Sequence, residues 1–309
     1  MKHAYIAGLA ILSLGISTQA MAKDADAIDV LAGNFMSVGT VNVKSLASNP
    51  LIEQAMMSNP DSVKGINELK ALGIDYKKDI STVAFALDEK GHGCGIADGT
   101  SALKDAIEKA AAADAATQKA DYNGVVIYSS KDEQMALLSD TRLVICEKAD
   151  IKAVIDNAKA AKPKTLKERD SAIYNMYNIT SKSADIRIGA KMTKSLKDKT
   201  KTYKLDDPSG ISISANDIEA AALSINLAKG IAIDAVALTK SNDAASNGAT
   251  ILNNTITPLV SDPSLAQLGL GFLAKAYTIT ADKKNIKANI KLSKDETNTI
   301  MTLLQGAAQ

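Results

Sequence analysis

Residues 82–97 read TVAFALDEKGHGCGIA, and this stretch carries the strongest indication of the fold. Its large apolar side chains alternate from Thr82 to Leu87, which is the period of a strand with one buried face. Lys90-Gly91 can then turn the chain back into a second strand, Gly93–Ala97, so the pattern predicts a β-hairpin. Because tight hairpins join antiparallel strands, we expect antiparallel sheets.

Helices and further strands are predicted on both sides of this hairpin. Asn49-Pro50 and Asn59-Pro60 each place a capping Asn before a Pro at the first position of a helix, and Gly73 is typical of a helix end. The predicted helices are 50–57, 60–73, 101–117, 151–158, 242–260 and 262–274, with a last one after the capping box Ser293–Glu296. The predicted strands are 37–44, 82–87, 93–97, 124–129, 135–139, 141–146, 186–192, 210–215, 220–227, 230–238, 277–281 and 285–292. We expect an α+β fold in which helices pack on one face of each antiparallel sheet.

The order of these predicted elements occurs twice along the chain. Each half presents a strand, a helix, a strand hairpin, a long helix, returning strands and a closing helix. Between the halves, residues 161–183 are polar and mixed and begin near Lys162-Pro163-Lys164, which indicates a connector. The sequence therefore predicts two similar lobes, residues 23–160 and 184–309, as an internal duplication would produce.

Three local motifs accompany this organisation. They are Gly73-Ile74-Asp75 before a strand, Tyr122-Asn123-Gly124 opening a strand with Tyr128 near its end, and the alternating strand before the final helix. On these motifs the chain resembles uncharacterised bacterial exported proteins with two duplicated α+β halves. The resemblance covers most of the chain after residue 22. It implies the two-lobed fold and a periplasmic location, and it brings no activity and no functional residue.

The first 22 residues, MKHAYIAGLAILSLGISTQAMA, have the pattern of a cleavable secretory signal peptide. Lys2 and His3 precede an uncharged apolar region, Ala4–Ile16, which is too short to anchor the chain in a bilayer. The predicted cleavage residues are Ala20, Ala22 and Lys23. A buried N-terminal helix is the alternative. Because no cysteine lies near the cleavage site, we expect no lipid anchor, and the mature chain should be a soluble periplasmic or secreted protein.

Charge and composition argue against several classes of ligand. The chain has 36 Lys and Arg and 35 Asp and Glu, and the signal segment holds one of the basic residues, Lys2, and no acidic one. The remaining charges balance, so there is no electrostatic argument for nucleic acid or for an anionic membrane. Aromatic residues make up only 4% of the chain, which argues mildly against a carbohydrate that stacks on aromatic rings.

The two cysteines and one histidine are the residues with the most distinctive chemistry. Cys94 and Cys146 lie in predicted strands and can form a disulfide in an oxidising compartment, whereas two separate buried thiols are the alternative. His92 is the only histidine after the signal segment. Its spacing from Cys94 places both side chains on one strand face, as in a soft-metal site or an activated thiol. Because two ligands are too few for a metal, an exposed histidine at the turn is the preferred interpretation.

Three further segments have simple structural interpretations. Asp206–Gly210 lacks the alternating oxygen ligands of a calcium loop, so it is interpreted as a turn. Leu268–Phe272 lacks the third glycine of a dinucleotide loop. The basic run Lys191–Lys204 could contact anionic headgroups or acidic polymers, although a solvated surface is the default. The sequence therefore predicts no catalytic, cofactor-binding or metal-binding residue. We expect the protein to need no cofactor.

These observations favour an exported protein with a non-enzymatic binding or structural role. A carrier or chaperone for a hydrophobic ligand such as a lipid is the first alternative, because antiparallel sheets backed by helices can enclose an apolar cavity. A hydrolase that uses carboxylates or a Ser/Lys pair is the second. The expected partners are a hydrophobic small molecule or an envelope protein, and not nucleic acid.

Overall fold

The computed structural model describes residues 26–147, 149–200, 202–206 and 210–307. The predicted signal peptide and its predicted cleavage residues Ala20, Ala22 and Lys23 lie outside the described residues. The chain divides into two compact units, Met1–Tyr177 and Asn178–Gln309. The boundary between the units falls inside the segment 161–183 that the sequence predicts as a connector.

The first unit is built on an antiparallel sheet that contains the predicted hairpin. Its strands are β1 (Ser37–Asn42), β2 (Ile80–Leu87), β3 (Gly93–Gly99), β4 (Gln118–Tyr122), β5 (Val125–Ser129), β6 (Glu133–Ser139) and β7 (Arg142–Glu147). They are arranged in the order β1-β2-β3-β7-β6-β5-β4. At the hairpin turn, the Asp88 carboxylate accepts hydrogen bonds from the backbone N–H groups of Lys90 and His92, at 2.8 and 2.9 Å. The predicted β2–β3 hairpin is therefore confirmed.

Helices cover both faces of this part of the sheet, whereas the sequence predicts helices on one face only. They are α1 (Ala27–Val30), α2 (Val43–Leu46), α3 (Pro50–Ser58), α4 (Pro60–Ala71), α5 (Tyr76–Asp79), α6 (Ala102–Ala113), α7 (Ile151–Lys159), α8 (Leu166–Arg169) and α9 (Ser171–Ile179). Strand side chains alternate between faces, so Val144 and Cys146 point to one side of β7 and Leu143 and Ile145 to the other. α1, α7, α8 and α9 pack over the face of Val144 and Cys146, whereas α4 and α6 cover the opposite face.

Part of the predicted connector belongs to the core of the first unit. Leu166 and Ile173, on α8 and α9, are buried beside the sheet. Arg169 donates hydrogen bonds from Nη2 to the carbonyl oxygens of Ile28 and Asp29, at 3.3 and 3.1 Å, so α8 fastens the first described residues to this core. Desolvation lowers the pKa of Arg169 from its ordinary value.

The second unit also contains antiparallel strands. Its strands are β8 (Ile186–Lys191), β11 (Ile218–Asn226), β12 (Gly230–Thr239), β13 (Tyr277–Asp282) and β14 (Asn285–Ser293), and a separate pair is formed by β9 (Lys204–Asp206) and β10 (Ser212–Ser214). Its helices are α10 (Lys194–Thr200), α11 (Asn242–Val260), α12 (Pro263–Gln267), α13 (Leu273–Ala276) and α14 (Lys294–Ala307). A small core forms where α11 packs on β13 and β14 through Ala245, Ala249, Ile279 and Ile286.

Two examples show where the local structure differs from what the sequence predicts. The helix predicted over 262–274 is two short helices, α12 and α13, because Gly269 between them has φ +78, a left-handed conformation that a continuing helix cannot contain. The strand β4 was not predicted, because its sequence QKADY has no apolar alternation and almost all of it is exposed.

The two units share an order of strands. The order is β1-β2-β3-β7-β6 in the first unit, before β5 and β4, and β8-β11-β12-β14-β13 in the second. In both, a helix (α6 or α11) follows the hairpin and another (α7 or α14) follows the last strand. The protein is thus an α+β protein with two similar antiparallel lobes.

Candidate apolar binding site

A small apolar cavity lies in the first unit between α4, α6 and the sheet. Its volume is about 50 Å³. Thirteen of its fourteen lining residues are Gly, Ala, Leu, Ile or Met, and the fourteenth is Glu68. The lining consists of Gly65, Glu68, Leu69, Leu72, Ile74, Ile80, Ala97, Leu103, Ala106, Ile107, Ala110, Met135, Leu143 and Ile145.

Local sequence determines where α4, one of the two helices that cover the cavity, begins and ends. The side chain of Asn59 accepts hydrogen bonds from the N–H groups of Asp61 and Ser62, at 2.9 and 3.4 Å, and so caps α4. Gly73, with φ +86, ends this helix, and the N–H of Ile74 returns to the carbonyl of Leu69 at 2.9 Å. The predicted cap and end of this helix are therefore confirmed.

The cavity exists because small side chains face a sheet of larger ones. α6 is amphipathic, and its buried side includes Ala106 and Ala110 one turn apart. The floor comes from β3, β6 and β7, where Ala97 pairs with Leu143 and Met135 pairs with Ile145, so these side chains share one face. Methyl groups on the helix cannot fill the space above this floor, which leaves the cavity.

The opening of the cavity lies on α4. Glu68, Leu69 and Leu72 are half-exposed, whereas Leu103 and Ile107 across from them are almost fully buried, at 1 and 2% exposure. A shallow surface groove of about 590 Å³ runs along α3 and α4 and shares Glu68 with the cavity. Apolar atoms of Met57, Val63 and Ala71 contribute to that groove.

A charged cluster surrounds α5, next to Ile74 at the edge of the cavity. The ammonium group of Lys78 lies 2.8 Å from the carboxylate of Asp75 and lowers the pKa of that carboxyl from its ordinary value. Lys77 forms an ion pair with Glu53, which raises the pKa of Lys77. Burial raises the pKa of Tyr76, between these lysines and the core. These contacts fix the loop that follows α4.

The two predicted cysteines are joined. Cys94 and Cys146 form a disulfide across directly paired positions of β3 and β7, and both residues are buried. Because Cys94 has no free thiol, the activated-thiol interpretation of His92 and Cys94 does not hold for this oxidised chain. His92 lies on the hairpin turn, with Nδ1 3.7 Å from the Asp88 carboxylate. The described residues contain no group of three or more His, Cys, Asp or Glu side chains that could hold a metal ion.

The other segments singled out from the sequence lie in the second unit. Lys194, Lys197 and Lys199 are on α10, none of whose residues is buried, and Tyr203 and Leu205 beyond it are 67 and 55% exposed. Residues 207–209 of the candidate calcium loop lie outside the described residues. None of the helices within the described ranges has the length and apolarity needed to cross a lipid bilayer.

Sequence reasoning did not identify the cavity. The Ala-rich helix was predicted, and its alanines at 106 and 110 were the available signal. Their meaning depends on which strands they face, and the helix periodicity alone does not reveal that.

Comparisons with known proteins concern the fold. No protein-family model matches the chain, and no curated protein matches it. Among solved structures, the chain is similar to crystal form III of TP0453, with a TM-score of 0.52 and 10% identity, over 89% of this chain and 97% of that one. Crystal form IV of TP0453 gives a TM-score of 0.49 with 9% identity, over 89% of this chain and 96% of that one. At such identity the likeness to form III supports the α+β architecture alone.

Proposed function

We propose that this protein is an exported, non-enzymatic binding protein that receives the end of an aliphatic chain in the cavity beneath α4 and α6. The observation that carries the proposal is the lining of that cavity, which is apolar except for Glu68. Apolar surroundings with few convergent polar groups are characteristic of small-molecule sites.

The energetics favour an apolar occupant. The cavity volume of about 50 Å³ exceeds the roughly 10–15 Å³ that a cavity needs in order to admit one water molecule. Water gains little there because it needs two to four polar partners, and Glu68 at the opening supplies the one polar side chain of the lining. An alkyl group entering the cavity leaves water and restores dispersion contacts for Leu103 and Ile107, at about 0.8 kcal/mol for each buried methylene.

The size of the cavity limits what is held. Sites that enclose a drug-sized molecule have volumes of about 300–1,000 Å³, so this cavity takes a chain end and not a whole lipid tail. The remainder of a longer ligand would lie in the groove of about 590 Å³ along α3 and α4, which meets the cavity at Glu68. This arrangement suits a protein that grips one end of an amphiphile.

Export is the second part of the proposal. It is supported by the signal-peptide pattern of residues 1–22 and by the Cys94–Cys146 disulfide, since such bonds persist mainly in oxidising compartments. Signal cleavage would be seen by N-terminal sequencing of the protein recovered from the periplasm, with Lys23 as the first residue. A structural role, and a hydrolase using carboxylates or a Ser/Lys pair, remain alternative hypotheses.

A cavity-filling variant tests the binding site. We expect 1-butanol, titrated into the full chain, to shift the methyl NMR signals of Leu103 and Ile107 in a saturable way. Ala110→Leu places three more carbon atoms at the cavity lining and should abolish this saturation. Ala112→Leu makes the same change on the exposed side of α6 and should retain it. The proposal fails if the signals do not saturate, or if Ala110→Leu binds butanol as well as Ala112→Leu does.

A further inference from the structure

Glu68 is the one ionisable residue in the lining of the cavity. It is half-exposed and lies on α4 at the opening, where Leu69 and Leu72 flank it. Lys64 and Lys70 are exposed on the same helix, and among the described residues no salt bridge or side-chain hydrogen bond involves Glu68. The carboxylate therefore lies at the mouth of an apolar site with no ion pair among the described residues, and Lys64, one helical turn away on α4, lines the adjoining groove.

We propose that this site selects aliphatic ligands with a cationic head group, and that Glu68 binds the ammonium group of a primary alkylamine. This inference rests on the proposed binding function of the cavity and adds the class of head group. The alkyl chain enters between α4 and α6, towards Leu103 and Ile107, and the amine stays at the opening. An amphiphile bound in this way keeps its charge at a half-exposed position and buries only methylene and methyl groups.

The position of Glu68 makes this selection physically reasonable. An ammonium donor and a carboxylate acceptor form a charge-assisted hydrogen bond, which is stronger than a bond between neutral groups. At a half-exposed site, water and salt screen part of the attraction, so the gain is moderate. A ligand carboxylate at the same place would meet Glu68 as a like charge, and the site should discriminate against it.

The other residues that line the cavity also favour a head group placed at Glu68. The other lining residues offer no side-chain hydrogen-bonding group, since they are Gly, Ala, Leu, Ile and Met. A polar head group placed deeper would lose its hydration without a partner, at a high free-energy cost. The amine can therefore be bound only at the end where Glu68 lies, which fixes the direction in which the ligand enters.

Three ligands with the same chain and different head groups test the inference. Butylamine, 1-butanol and butyrate would be titrated into the full-length protein at neutral pH, with the methyl signals of Leu103 and Ile107 as the readout. We expect butylamine to bind about three- to tenfold more tightly than 1-butanol. Butyrate should bind more weakly than either. Added salt should reduce the ratio between butylamine and butanol.

The Glu68→Gln variant identifies the group responsible. It keeps the size of the side chain and removes its charge, so the ratio of the butanol and butylamine dissociation constants should fall to about one. Glu108→Gln removes an exposed carboxylate from α6 and should leave the ratio unchanged. If butanol binds but butylamine binds no more tightly, the head-group inference is wrong and the binding function stands. If no ligand saturates, the binding function is wrong and the inference falls with it.

Discussion

The hydroxyl group of Tyr76 is a poorly stabilised polar group inside the well-packed first unit. Tyr76 begins α5 and is only 3% exposed, and its hydroxyl has no hydrogen-bond partner among the described atoms. A buried hydroxyl without a partner loses its hydration and gains nothing in return. The ring is well placed, since it fills space beside the core and Lys77 lies 6.0 Å from its centre.

Removing this hydroxyl should therefore not destabilise the protein. We expect Tyr76→Phe to leave the free energy of unfolding at pH 7 unchanged or to raise it by about 1–2 kcal/mol. Tyr203→Phe, at a residue that is 67% exposed, is the control and should change nothing. Urea unfolding measures both. A loss of stability in Tyr76→Phe alone would show that the hydroxyl is bonded in solution.

The pH dependence of the free energy of unfolding, in the parent protein and in Tyr76→Phe, follows from the pKa of Tyr76. Burial raises this pKa above its ordinary value of 10.0 in the folded chain, because the charged phenolate is disfavoured there. The stability associated with the neutral phenol is complete below pH 10 and is lost as the pH rises through the folded-state pKa. Unfolding experiments repeated above pH 10 should therefore show a smaller alkaline loss in Tyr76→Phe than in the parent protein.

At the scale of elements, the β2–β3 hairpin requires glycine at position 93 and merely tolerates it at position 95. A Cβ atom added to Gly93 would overlap the carbonyl oxygen of Ala86 on the neighbouring strand. A Cβ atom added to Gly95 would lie 3.7 Å from the carbonyl oxygen of Ala84, which is an ordinary contact. The backbones thus approach closely at the turn end of the hairpin and separate two residues later.

Two alanine substitutions in β3 measure this close approach. Gly93→Ala must shift the backbone of β2 or β3, and we expect it to lower the free energy of unfolding by about 1–3 kcal/mol. Gly95→Ala should be neutral or mildly stabilising, because alanine loses less backbone entropy than glycine. Both variants keep the Cys94–Cys146 bond, so thermal unfolding under oxidising conditions compares them directly. Equal stabilities of the two variants would contradict the close approach.

The elements also show which features can be predicted from sequence. The hairpin, the cap at Asn59 and the end at Gly73 depend on residues that are close along the chain, and they were predicted. The sequence leaves open whether Cys94 pairs with Cys146, because the bond requires β7 to lie next to β3 across 52 residues. The cavity depends on which strands face Ala106 and Ala110, and that is decided by packing and not by the pattern of α6.

At the scale of the whole molecule, the two units use the same strand order with unequal burial. Among the described residues, 42 buried apolar side chains belong to the first unit and 10 to the second. The third strand in each order makes the contrast concrete: β3 buries Cys94, Ile96 and Ala97, whereas only Thr239 is buried in β12. Because buried apolar area is the main source of stability, the second unit should open more readily.

Hydrogen exchange of the full-length protein tests this asymmetry. Both β3 and β12 are interior strands that pair with a neighbouring strand on each side, so differences in their amide exchange report opening and not the absence of a partner strand. We expect the amides of β3 to exchange about tenfold more slowly than those of β12, after correction for intrinsic rates. Reducing the Cys94–Cys146 bond should narrow this difference by accelerating exchange in β3, because the bond restricts the opened chain of the first unit alone. If the amides of β12 exchange as slowly as those of β3, or more slowly, the asymmetry is wrong. The half-exposed apolar side chains of β12 would then be covered by a partner in solution.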